Sequence, residues 1–184
     1  MRARFLLILP ALFAVHNGGG APPPRRQDAS DSVALAIQRV GFAVAHVKTR
    51  MDLLRRAAGN DPDSSVLDRA TELRAACEAM AGTAAAQSPL LCRHCLEQER
   101  QAPIDAYRAY LPSLERAGRH CATTIVQLRQ STGAGAARRL RHEAVPIGDQ
   151  LVEAFVLYER HLYAVRVAFG WAPPASTAPA RRGG

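Results

Sequence analysis

Apolar side chains recur through this chain at alternating steps of four and three residues, a spacing that lines one face of an α-helix and cannot line one face of a strand. Val33, Ile37, Val40, Val44, Val47, Met51 and Leu54 form the first such seam. Asp31 or Ser32 is placed to cap its start, and Gly59-Asn60-Asp61-Pro62 ends it. A second helix follows from about Asp63, with Val66, Ala70, Leu73, Cys77, Met80 and Ala84 in the same rhythm, until Gln87-Ser88-Pro89 stops it. Ser88 and Pro89 also suit the cap and first position of a short third helix, which carries Leu91, Cys92, Cys95 and Leu96 to about Ala102.

The next stretch gives two opposed signals. Pro103 and Pro112 bracket eight residues and argue for a kink or chain reversal, because proline removes a helical hydrogen bond. Yet a seam of Ile104, Tyr107, Leu111, Leu114, Gly118, Cys121, Ile125 and Leu128 runs straight through them. The expectation is a short helical connection, then a helix from about Ser113 to Gln130. After the turn Ser131-Thr-Gly-Ala-Gly135, a last helix is expected from about Ala137 to Gly170, kinked near Pro146, with Leu140, Ala144, Ile147, Leu151, Phe155, Tyr158, Leu162, Val165 and Phe169 on one face. The fold class is therefore all-α: an antiparallel helical bundle of four long helices plus a short disulfide-bearing helix, over residues 31–171.

The ends read differently from this body. Arg2 and Arg4, the apolar run Phe5 to Val15, and the small residues Gly18 and Gly20 make residues 1–20 a secretory signal peptide. That run is too short to cross a bilayer. Residues 21–30 form an extended lead-in, and residues 172–184, rich in Ala, Pro and Gly, a disordered tail. The ends also account for most of the formal charge of +8. Six of the 24 basic residues lie outside residues 27–180, which leaves 18 basic against 16 acidic side chains there. A nearly balanced body lacks the concentrated basic footprint that phosphate contacts need, so nucleic acid is not an expected partner.

Secretion makes two disulfides the simplest reading of Cys77, Cys92, Cys95 and Cys121. Equal distance from the expected turns sets Cys77 beside about residue 98 and Cys121 beside about residue 94. Both should then pair into the short third helix, as Cys77–Cys95 with Cys92–Cys121 or as Cys77–Cys92 with Cys95–Cys121. The remaining pairing, Cys77–Cys121 with a Cys92–Cys95 redox pair, lacks the βαβ setting in which such pairs usually work.

Motifs for catalysis and metal binding are incomplete. Cys92, Cys95 and Cys77 with His94 and His120 have the donor types of a zinc site, but the C-x-x-C occurs once and an oxidising compartment disfavours thiolate ligands. His142-Glu143 begins H-E-x-x-H, but Pro146 stands where the second histidine is required. Neither a phosphate-binding glycine loop nor a Gly-x-Ser-x-Gly elbow is present. The expectation is a non-enzymatic protein with no cofactor and no metal.

The feature that points to binding is a second apolar stripe on the last helix. Val152, Val156, Tyr163 and Val167 lie beside the seam and exceed what one seam needs. They mark a helix with neighbours on both sides, or a face for a protein partner or small apolar ligand. In format the chain resembles plant inhibitors of pectin methylesterase and invertase, which are secreted two-disulfide bundles, but here all four cysteines fall between 77 and 121. It is similar in architecture to four-helix cytokines, without their long crossover loops. Through Cys95-Leu96…Cys121 it resembles secreted insect proteins of the tsetse EP type. The expected function is that of a secreted, extracellular binding protein; the alternative is a secreted inhibitor or cytokine-like ligand presenting a helix face.

Overall fold

The computed structural model describes residues 26–91, 96–130 and 134–172. Within them the chain is helical and has no strand. Four long helices pack against one another: α1 (Arg26–Asn60), α2 (Asp63–Gln87), α3 (Gln98–Arg129) and α4 (Ala134–Ala168). A 3-10 turn, Ser88–Leu90, follows α2. Among the described residues α1 and α3 each contact α2 and α4, and α2 also meets α4 across the middle. No helix there is long and apolar enough to cross a membrane.

The seams become the core. Val33, Val40, Val47 and Leu54 of α1, Val66, Leu73 and Met80 of α2, and Leu140, Leu151 and Val165 of α4 are all buried in one cluster. Helix α1 begins at Arg26, so the last part of the expected extended lead-in is helical instead. The expected signal peptide of residues 1–20, the expected tail beyond Ala172, and Cys92 to Cys95 lie outside the described residues.

The largest departure from expectation is in the middle of the chain. Ser88 to Ala102 is not one short helix: the 3-10 turn gives way to an extended Leu91, and α3 starts only at Gln98. Helix α3 then continues through Pro103 and Pro112 without reversal. Pro112 points to solvent, as does Pro146 within α4, so water can take the carbonyls these residues leave unbonded. Burial decides the competition. Ile104, Tyr107, Leu111 and Leu114 are fully buried, contributing roughly 6–12 kcal/mol together against about 3 kcal/mol for each proline.

Three polar fixtures hold the elements in place. Arg141 of α4 donates to the Ala57 and Ala58 carbonyls at 3.2 and 3.1 Å, to the Asp61 carbonyl, and to Asp63 at 3.0 Å, closing the C-terminus of α1. Glu72 of α2 accepts from Arg69 at 2.9 Å and from Arg50 of α1 at 3.1 Å. Its hydrogen bond with Arg69, reinforced by the charges of Arg69 and Arg50, holds its carboxyl below the usual range despite some desolvation. Arg108 of α3 donates to the Leu91 carbonyl at 3.2 Å, fastening the chain where it leaves the 3-10 turn.

Candidate functional site

Helices α1 and α4 do not close along their whole length. Between them runs an open groove of about 670 Å³, a size common among small-molecule sites. Its α1 side is a stripe at helical spacing, Ile37, Gly41, Val44 and Lys48, and its α4 side is Tyr158, Leu162 and Arg166. Phe42 and Trp171 stand at the rim, 68% and 46% exposed. Over Ala34 to Lys48 the groove follows about 21 Å of helix.

Trp171 reaches this rim because of how α4 ends. Gly170 has φ +70°, a conformation glycine adopts without steric cost. Its N–H bonds the Val167 carbonyl at 3.0 Å, and the Trp171 N–H bonds the Arg166 carbonyl at 2.7 Å. This pair of bonds is the Schellman arrangement, which satisfies the last carbonyls and turns the chain back. The Trp171 ring packs on Phe169 with centroids 4.7 Å apart, and the Arg100 guanidinium lies 5.5 Å from the Phe169 ring centre.

The polar groups of the groove are few and of mixed charge. Lys48 pairs with Glu159 at 2.9 Å and lies 5.5 Å from the Phe155 ring centre. The Arg166 guanidinium has no ion-pair partner among the described residues, which leaves the groove with a net positive end. Tyr158 forms part of the floor, and its ring packs on Tyr107 of α3 at 5.9 Å. Burial pushes both phenols upward; the Tyr107 hydroxyl opposes this at Tyr158, and the nearby Tyr158 raises Tyr107 further. Neither hydroxyl meets a partner of good hydrogen-bond geometry among the described residues. A β-carbon placed at Gly41 would stand 3.5 Å from the Tyr158 oxygen, so α1 and Tyr158 are in contact here and the hydroxyl is covered.

No family model matches the chain, and no curated protein or solved structure matches it either.

The α4 stripe lies elsewhere. Val152, Val156 and Tyr163 are exposed and Val167 is half-buried; none lines the groove. Val145 and Leu157 are also exposed on this helix. The expectation that helix α4 has buried neighbours on both sides therefore fails at Val152, Val156 and Tyr163.

Cys77 of α2 lies against Cys121 of α3, both buried and not bridged in this structure. The hydrogen bond with Cys121 and then burial push the Cys77 thiol far upward. Cys92 and Cys95 lie outside the described residues. His142 is exposed and meets its neighbour Glu143 at 3.3 Å, and His161 stacks on Tyr110 with ring centroids 5.0 Å apart. Among the described residues no three His, Cys, Asp or Glu side chains come together as a metal site.

The groove residues were open to sequence reasoning only in part. Phe42 sits off the α1 seam beside Gly41, an aromatic with no core role, and that was a usable signal. Tyr158 looked like core, and Arg166 like any solvated cation. Trp171 stood as the last residue of the expected bundle, and only the turn at Gly170 brings it to the groove.

Proposed function

We propose that this chain is a secreted, disulfide-bearing antiparallel helical bundle that acts by binding and has no catalytic role. Its site is the α1–α4 groove, and its ligand an elongated apolar molecule with an anionic head. The antiparallel order is supported by the contacts: Gly41, Lys48 and Arg55 of α1 approach Tyr158, Glu159 and Asp149 of α4. Arg50 of α1 meets Glu72 of α2, and Thr71 of α2 meets Arg129 of α3.

The observation that carries the ligand class is the combination of apolar walls with one cation, Arg166, that has no ion-pair partner among the described residues. An acyl chain would cover Phe42 and Trp171, gaining the hydrophobic free energy of their exposed surface. A carboxylate at Arg166 would gain a charge-assisted hydrogen bond where no protein anion competes. A fully anionic or fully apolar molecule would use only half of these groups.

Trp171 is the sole tryptophan, so its emission reports on the groove directly. Palmitate titrated into the full chain should change that emission saturably, and methyl palmitate should bind more weakly. Arg166→Gln should weaken palmitate by roughly 10–100-fold and leave the ester unaffected. Phe42→Glu, at an exposed position, should abolish both without altering the helical circular dichroism. Absence of saturable binding, or binding indifferent to both substitutions, overturns the assignment.

A second reading rests on the exposed α4 stripe, where Val156 is 63% exposed. Val145, Val152, Val156 and Tyr163 suit the helix-face mode of binding a protein partner. Glu at 152 and 156 should leave the melting temperature unchanged while abolishing capture of such a partner from the source fluid; unchanged capture removes this reading.

A further inference from the structure

The closest approach between α2 and α3 is made by backbone, and it occurs beside two cysteines. Gly118 of α3 faces Cys77 of α2 so closely that a β-carbon on it would stand 2.6 Å from the Cys77 carbonyl oxygen, 3.1 Å from the Ala81 Cβ and 3.2 Å from the Met80 Cε. Helices carrying ordinary side chains pack with axes about 8–10 Å apart. A glycine at the crossing lets them come nearer. Cys121 lies one turn along α3 from Gly118, and its side chain meets that of Cys77. Disulfides need such nearness, because their Cα atoms must lie within about 7 Å with the Cβ vectors converging.

We propose that Cys77 and Cys121 are the partners of an interhelical disulfide joining α2 to α3, formed by exchange with a protein or small-molecule disulfide. The thiolate of one cysteine attacks a donor sulfur, breaks the donor's S–S bond and leaves a mixed disulfide and one donor thiol. The second thiolate attacks the chain's sulfur in that mixed disulfide, forms the Sγ–Sγ bond and releases the second donor thiol. The chain loses two hydrogens and the donor gains them. Cys77 is 0% and Cys121 3% exposed, so the exchange belongs to folding, before α2 and α3 close. Afterwards the core shields the bond from reductants. This pairing replaces both pairings expected from turn levels, and it names the connectivity within the disulfide-bearing bundle on which the proposed function rests.

Peptide mapping decides it. Cleavage after Lys and Arg alone leaves Cys77 and Cys92 in one fragment, because no basic residue separates them. Additional cleavage after Glu78 and Glu97 puts each cysteine in its own fragment. The full chain is expressed through a secretory pathway, alkylated without reduction, digested and analysed by mass spectrometry. A parallel sample is refolded in vitro with mixed reduced and oxidised glutathione. The expected result is a bridge between the fragments 75–78 and 120–129 in both samples, resistant to dithiothreitol until denaturant is added. A bridge in the refolded sample with free thiols in the cellular one supports the pairing and overturns the secreted reading. A bridge from Cys77 or Cys121 to Cys92 or Cys95 overturns the pairing, as do thiols at 77 and 121 in both samples.

Discussion

Replacing Gly118 by alanine adds one methyl group and should destabilise the protein, although alanine is the better helix former. In an open helical position this exchange stabilises by about 1 kcal/mol. At Gly118 the new carbon would overlap the Cys77 carbonyl at 2.6 Å, and a backbone atom cannot swing aside as a flexible side chain can. Relief requires α2 and α3 to separate by several tenths of an ångström along a buried seam that includes Leu73, Met80, Leu114 and Cys121. Overpacking of this kind costs about 1–3 kcal/mol, and even a small gap forfeits part of each dispersion contact. The net expectation is destabilisation by up to about 2 kcal/mol, or up to about 8 °C in melting temperature for a domain of this size. Gly82 is the internal control, since it lies in α2 with nothing within 4 Å of its would-be β-carbon. Gly82→Ala should raise the melting temperature by a few degrees. Both variants are melted by circular dichroism under reducing conditions, so that the cysteines contribute equally. A Gly118→Ala protein as stable as the Gly82→Ala protein would refute the close approach, and with it the reasoning for the cysteine pair.

Three further outcomes are expected. Arg141→Ala should lower stability by about 2–3 kcal/mol, because three carbonyls at the end of α1 lose a charged donor; Arg141→Lys should recover only part, as an ammonium cannot span the fork, and urea unfolding of the two variants measures both. The Glu72 carboxyl is held below its ordinary value, so its contribution is present above the usual glutamate range near pH 4.3 and is lost as pH falls through the depressed value. The melting-temperature gap between the natural chain and Glu72→Gln should therefore be constant near neutrality and close on acidification, and a gap unchanged at low pH would contradict the Arg50–Glu72–Arg69 clasp. Gly170→Ala, at φ +70°, should cost about 1–2 kcal/mol locally and shift Trp171 emission to the red as the ring leaves Phe169; an unaltered spectrum would show that the turn does not place the indole.

Much of the fold was legible because burial in helices is periodic. Each buried seam residue, from Val33 on α1 to Val165 on α4, could be named from spacing alone, since a 4-3 repeat has only one way to hide its apolar side chains. The prolines of α3 misled because local propensity and periodicity disagreed there, and propensity was given the chain reversal. Burial of Ile104, Tyr107 and Leu111 outweighed it.

What spacing along one chain cannot convey is where two helices meet. Levels counted from the turns assumed that each connection reverses the chain at its midpoint. Instead α3 starts at Gln98 and runs about ten residues before it comes level with the end of α2, roughly 15 Å of helix. That offset brings Cys121 level with Cys77. The groove has the same origin: Gly41, Lys48 and Arg166 share it only through the way α1 and α4 lie against each other. Periodicity is a property of one helix, and it specifies which face is buried. Offset and separation belong to pairs of helices, and they are decided by whether the facing residue is a glycine or a side chain that must be accommodated.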